Sequence, residues 1–401
     1  MLLGAGFSLG CLAAGATISH AASFTGLGDL PGGEFASNVR AISADGTTVV
    51  GSSRSASDFE GFLWTATLGM RTLGELSGGD VDFHLLDVSG DGSTVVGARP
   101  SSSGFEAVRW DASHGVRGLG FLPGGDGSGS AYAASADGSI IVGHSFALIN
   151  GSSSSWATTA FVWDATNGMR DFQPDPYDET SLYPGNASDV SADGSVVVGS
   201  GESTSGVGAF IWDAGNGLRE LGDLPGGSFY SIATGVSADG TTVVGESESA
   251  AGYEAFLWDA ERGLRGLGDL PGGEFRSRAA AVSADGSMAV GFSAGASGFE
   301  AFLWDGDHGM RELRVVLSAL GVDLEGWTLT TAIDISADGR TIVGNGVNPE
   351  GFAEAWIAVI PEPGTGLLLG LGLAAIGAGR RRAHASEPDA VEQSMRSPSI
   401  R

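Results

Sequence analysis

Short β-branched runs that end on glycine recur along the chain: Val49-Val50-Gly51, Val95-Val96-Gly97, Val142-Gly143, Val197-Val198-Gly199, Val243-Val244-Gly245, Val290-Gly291 and Val343-Gly344. Each follows Ser-Ala-Asp-Gly or a close variant, starting at Ser43, Ser89, Ser135, Ser191, Ser237, Ser283 and Ser336, with spacings of 46, 46, 56, 46, 46 and 53 residues. A small apolar segment such as Ala279-Ala280-Ala281-Val282 precedes each serine, and a Glu-Ala-Phe-Leu-Trp type segment follows each valine run. That third segment ends on Trp64, Trp110, Trp163, Trp212, Trp258 or Trp304; in the seventh unit Trp356 stands two positions early, which keeps it on the same face of a strand. After an Asp-Ala-x-x-Gly turn comes a fourth segment, as in Leu264-Arg265-Gly266-Leu267-Gly268-Asp269-Leu270, before Pro271-Gly272-Gly273 breaks the chain. Asp-Gly tolerates the positive φ of a tight hairpin, so each unit predicts four short antiparallel strands.

Four strands in roughly 40–50 residues is the period of a β-propeller blade. Residues 24–30 match the fourth segment, while the seventh unit stops after its third segment near Val359. The expected fold is therefore all-β, a seven-bladed propeller in which residues 24–30 complete the blade begun by residues 331–359. An open array would leave unpaired edges, which proteins normally avoid.

Both ends depart from the repeat. Residues 2–18 are apolar and small, and Ser19-His20-Ala21-Ala22-Ser23 suits signal-peptidase cleavage, although no basic residue precedes the apolar run. Near the other end Pro361-Glu362-Pro363 precedes the apolar residues 364–379 and then Arg380, Arg381 and Arg382, a positive cluster of the kind that flanks a membrane segment. The expected organisation is a signal peptide over residues 1–22, the propeller over 23–359, a sorting and transmembrane-helix segment over 360–382 and a disordered tail over 383–401.

The Pro-Glu-Pro, apolar run and arginine cluster together resemble a PEP-CTERM sorting signal. That resemblance implies recognition by an exosortase during export to the envelope, surface or matrix of a Gram-negative bacterium, with membrane insertion through the C-terminal helix before processing. The repeats resemble the HAF family of extracellular repeats, named for a His-Ala-Phe tripeptide on the third strand. Here glutamate replaces the histidine at Glu106, Glu254, Glu300 and Glu354, and Ala-Phe alone is kept at Ala160-Phe161 and Ala209-Phe210. The HAF resemblance implies an exported repeat protein without assigned chemistry.

Composition narrows the function classes. The 401 residues carry 48 acidic and 20 basic side chains, all of the latter Arg, which argues against nucleic acid as a partner and excludes a Schiff-base lysine. The one cysteine, Cys11, lies in the leader-like segment, so no disulfide or thiolate site is expected beyond it, and no cofactor or metal is called for. The aspartates at Asp45, Asp91, Asp137, Asp193, Asp239, Asp285 and Asp338 are explained by their turns rather than as calcium ligands, since none sits in an Asp-x-Asp-x-Asp loop. The repeated Arg71, Arg117, Arg170, Arg219, Arg265 and Arg311 are expected to stack on the tryptophan of the same hairpin, with Arg71 opposite Trp64. His84, His114, His144 and His308 lack metal-ligand spacing, and no nucleophile-elbow pattern flanks any serine.

On a symmetric repeat, ligand sites are expected where the repeat is broken. One break is the Ser-rich insertion with Trp156; a second carries Asp175, Tyr177, Asp178, Glu179 and Tyr183; a third reads as a short amphipathic helix over residues 315–320 followed by Trp327. Aromatic rings there would suit stacking on sugars, with carboxylates accepting hydroxyl protons; the alternative is an irregular solvated loop pair without a ligand. The favoured reading is a non-catalytic cell-surface or matrix protein that binds polysaccharide or envelope components. The alternative is a secreted propeller enzyme, a glycan hydrolase or lyase, using a carboxylate pair among Asp175, Asp178 and Glu179.

Overall fold

The computed structural model describes residues 21–56, 58–74, 83–102, 104–125, 127–148, 156–171 and 182–361, and the compact unit is Ala21–Ile360. Every repeat forms an antiparallel meander, because its apolar segments are short and each is punctuated by Asp-Gly or Asp-x-x-Gly. In the Ser-Ala-Asp-Gly turns the serine Oγ donates to the aspartate Oδ1, 2.6 Å in Ser43–Asp45, and the same Oγ accepts the N–H that opens the next strand, 3.0 Å from Thr48. Those turns also bond to one another. Ala44 N–H donates to Gly90 O, Asp91 to Ala136, Ala136 to Ala192, Ala192 to Ala238, Ala238 to Ala284, Ala284 to Ala337 and Ala337 back to Ala44, all at 2.9–3.1 Å.

Four of the sheets are separate and four-stranded. One holds Gly32–Ile42, Thr48–Ser55, Phe59–Thr65 and Gly69–Thr72; the second His84–Val88, Thr94–Ser101, Gly104–Asp111 and Gly115–Gly118; the third Gly129–Ala134, Ile140–Leu148, Trp156–Asp164 and Gly168–Asp171. The fourth joins the two ends of the unit, with Ser23–Gly26 antiparallel to Ala353–Val359, followed by Thr341–Val347 and Thr328–Ile335. The strands from Tyr183–Val190 to Gly309–Glu312 instead run as one twelve-stranded sheet.

The seven-bladed expectation is thereby corrected to a propeller-like arrangement with four separate blades. Single parallel pairs, Val207 with Tyr230 and Tyr253 with Arg276, stitch the intervening meanders together. The physical reason is glycine. Gly206 and Gly252 hold φ of 139° and 142°, and a Cβ on either would collide with the carbonyl oxygen of Phe229 or Phe275 in the neighbouring first strand. Without side chains there, the two backbones close to pairing distance.

Two further expectations are corrected. No helix among the described residues is long and apolar enough to cross a membrane. The α-helix Leu313–Ala319 has seven residues, about 10 Å of rise against the ~30 Å of a bilayer core; it buries Leu313 and Leu317 against the last two repeats. The apolar run 364–379 lies outside the described residues. Arg71 is opposite Leu63, and Trp64 is opposite Met70, so Arg71 and Trp64 point to opposite faces. The loop between Thr65 and Gly69 places every later residue one position away from the register expected, and one position flips the face. Several of these arginines instead pair with the aspartate that ends the third strand: Arg219 with Asp213 at 2.8 Å, Arg265 with Asp259 at 2.6 Å, and likewise Arg170 with Asp164 and Arg311 with Asp305.

The core lies between successive meanders. Val244, Ala255 and Leu257 of the fifth repeat pack on Ala279, Ala289 and Phe302 of the sixth, and Val343 and Ala355 of the seventh pack on Val39, Val49 and Phe62 of the first. The third-strand rings Phe62, Phe161, Phe210, Phe256, Phe302 and Trp356 are fully buried, each stabilising the fold by roughly 1.5–3 kcal/mol.

Candidate binding cavity

In every repeat the first strand carries a β-bulge at the same place. Opposite Gly51-Val50 stand Val39 and Ala41, which leaves Arg40 without a partner residue. The same register shift isolates Leu86, Tyr132, Ser188, Thr234, Ala280 and Ile333. The glycine that ends each valine run makes the bulge fit, because a Cβ at Gly51 would overlap the carbonyl oxygen of Asn38, and the six equivalent glycines meet the equivalent oxygens. Bulges re-aim side chains, and here all seven bulged residues line one cavity of about 640 Å³. Asn186, Ser200, Ile232, Ala233, Arg278, Phe292 and Thr331 complete its wall.

The cavity wall mixes apolar side chains with hydroxyl and amide groups, and it carries guanidinium groups. Arg40 is exposed within it, while Arg278 is half-buried. Burial raises the Glu246 carboxyl above its ordinary range, and the charges of Arg278 and Arg276 pull it back. Beside the bulged Tyr132, whose phenol burial pushes up, the His144 ring lies at 5.1 Å. Burial lowers the His144 pKa, and its Nδ1 has no hydrogen-bond partner among the described residues.

Immediately after three of the bulged residues stand Asp87, Asp189 and Asp334. Their Oδ2 atoms accept the backbone N–H of Ala134, Val236 and Ile42, each in the following repeat, at 2.8–2.9 Å. Burial raises all three: Asp189 to about 7, against hydrogen bonds from Val236 and Val190, and Asp334 to about 6. Asp87 is raised well above the ordinary range by burial and then by the charges of Asp334 and Asp189. These carboxylates staple neighbouring first strands while keeping proton affinity into the neutral range.

The described residues among those singled out from sequence do not line the cavity. Tyr183 is half-buried, with its hydroxyl 2.6 Å from Thr159 Oγ1, tying the third and fourth repeats. Trp327 packs edge-on against Phe24 at 5.0 Å, and its carbonyl accepts from Arg314. Trp156 opens its strand opposite Leu148. Asp175, Tyr177, Asp178 and Glu179 lie outside the described residues, as do Glu362, Pro363, Arg380, Arg381 and Arg382; Pro361 is the last residue described. Sequence reasoning missed Arg40, Tyr132, Arg278 and the three aspartates. For Arg40 and Tyr132 the signal was the variability of the third position before each serine, occupied by Arg, Leu, Tyr, Ser, Thr, Ala and Ile in an otherwise regular repeat.

Residues 359–382 match the PEP-CTERM protein-sorting motif. The motif points to export, to recognition by an exosortase and to an envelope-associated protein. No match is found among curated proteins. Among solved structures, oligogalacturonate lyase from Vibrio parahaemolyticus is similar at 12% identity and a TM-score of 0.51, over 80% of this chain and 89% of that one, a likeness of fold. Prolyl oligopeptidase B from Galerina marginata is similar at 9% identity and a TM-score of 0.48, over 77% of this chain and 47% of that one. TolB from Acinetobacter baumannii is similar at 12% identity and a TM-score of 0.41, over 76% of each chain.

Proposed function

We propose that this is an exported, non-catalytic binding protein of the Gram-negative cell surface or matrix, with HAF-like repeats, whose cavity takes a carboxylate-bearing sugar of an acidic polysaccharide. The supporting observation is the convergence of seven bulged residues on one cavity holding Arg40 and Arg278, in a chain where acidic side chains outnumber basic ones 48 to 20. Guanidinium groups are planar donors suited to a carboxylate, and a cavity of this volume is in the range that encloses a small ligand. Asn186, Ser188, Ser200, Thr234 and Thr331 supply hydroxyl and amide partners for sugar hydroxyls. In this reading residues 1–22 are a signal peptide, residues 360–382 carry the sorting segment and residues 383–401 a tail.

The test is equilibrium binding of a galacturonate dimer to the full chain and to Arg40→Ala and Arg278→Ala, with release of reducing ends scored alongside. Binding that each substitution weakens at least about fivefold, without cleavage, supports the reading. Cleavage of a galacturonate polymer overturns it in favour of the glycan hydrolase or lyase, and no binding by the unsubstituted chain overturns the choice of ligand.

A further inference from the structure

We propose that the cavity rim formed by the fifth and sixth repeats is a stacking track for the sugars that follow the uronate along the same polysaccharide, an inference that rests on the cavity reading. The strip is built from strands of the merged sheet. Tyr230 lies edge-to-face on Tyr253 at 5.4 Å and 84°. Tyr253 is backbone-paired with Arg276, whose Cζ sits 5.4 Å over the Phe299 ring, and Phe299 in turn meets Phe292 at 5.1 Å and 80°. Phe292 lines the cavity, so the strip is continuous with it.

Tyr253 and Phe299 remain 38% and 43% exposed although each is braced by a second ring at nearly a right angle. A held, outward ring costs little side-chain entropy on binding and offers a flat apolar face. The apolar face of a pyranose fits such a ring, while its carboxylate and hydroxyl edge fits the Arg276 guanidinium, which lies over one face of Phe299. Glu248, opposite Tyr253, is engaged by Ser228, and Glu246 faces Arg276 and Arg278. The two rings lie in different repeats, and on this reading a polymer engages both.

The experiment compares a galacturonate dimer with an octamer, on the full chain and on the double variant Tyr253→Ala/Phe299→Ala. The unsubstituted chain is expected to bind the octamer at least about tenfold more tightly than the dimer, and the double variant to lose that gain while keeping dimer affinity. Tyr253→Leu/Phe299→Leu, which keeps apolar bulk without a ring, is expected to lose the gain as well. Equal affinity for both lengths, or a gain that survives in the variants, overturns the track and leaves the cavity reading standing. Failure of the unsubstituted chain to bind the dimer overturns both.

Discussion

The backbone N–H of Ile42 donates to Oδ2 of Asp334 at 2.9 Å, across 292 positions of chain. One carboxylate thus ties the last repeat to the first, while its Oδ1 accepts from Ile335 at 2.7 Å. Asp334→Ala orphans two donors, at a cost of about 1–3 kcal/mol each. We expect the variant to lower the urea midpoint clearly at pH 5 and by less at pH 8, where the native carboxylate is itself ionised unfavourably. A variant as stable as the native chain at pH 5 would remove the closure role.

The pH dependence of stability follows from the same group of carboxylates. Asp189 and Asp334 titrate at about 7 and about 6 when folded, and Asp87 is raised well above the ordinary range, against about 4 in an unfolded chain. The folded state binds these protons more tightly, so their stabilisation is complete below about pH 4 and is lost as pH rises through the folded values. The turn aspartates act oppositely. Asp164 is held at about 2 by hydrogen bonds from the Asn167 side chain and backbone, so its contribution is present above about pH 4 and lost towards pH 2. Denaturant midpoints between pH 3 and pH 9 are expected to peak near pH 4–6 and to decline towards pH 8.

Merging of the middle sheets depends on two glycines. Gly252→Ala places a Cβ against the Phe275 carbonyl at a φ of 142°, and is expected to destabilise by about 2 kcal/mol or more. Gly306→Ala, whose Cβ would meet nothing within 4 Å, is the matched control and is expected to stay within ~0.5 kcal/mol of the native chain. Chemical denaturation of both variants checks the contrast; similar midpoints would contradict the close-approach explanation.

If the cavity takes an anionic sugar, its binding is expected to be coupled to these carboxylates. Asp87, Asp189 and Asp334 directly follow the cavity residues Leu86, Ser188 and Ile333, so their ionisation adds negative charge next to positions that line the cavity. Affinity for a galacturonate dimer, whose own carboxylates stay ionised, is expected to rise as pH falls from 8 to 5. A flat profile would separate the aspartates from the site.

Much of the local architecture could be read from the chain, because Asp-Gly turns and valine runs impose their strand pattern locally. The pairing of residues near 24 with the strand ending at Val359 also followed from counting segments. The merging of sheets did not, since Gly206 and Gly252 look like ordinary loop glycines until their distance to Phe229 and Phe275 is known. The cavity was hidden for a related reason. Gly51 and its equivalents read as strand ends, whereas their function is to admit the bulge that turns Arg40 inward. Period-two alternation carries no record of a bulge, so the variable position inside the repeat looks like any other strand residue.

If the seven bulged residues enclose the ligand, Ala280→Trp closes the site. Ala280 contributes a single methyl group to the cavity wall, so an indole there fills the space without removing a charge or a hydrogen bond. We predict that galacturonate-dimer binding is lost while the denaturation midpoint stays close to that of the native chain. Undiminished binding by this variant would contradict the account.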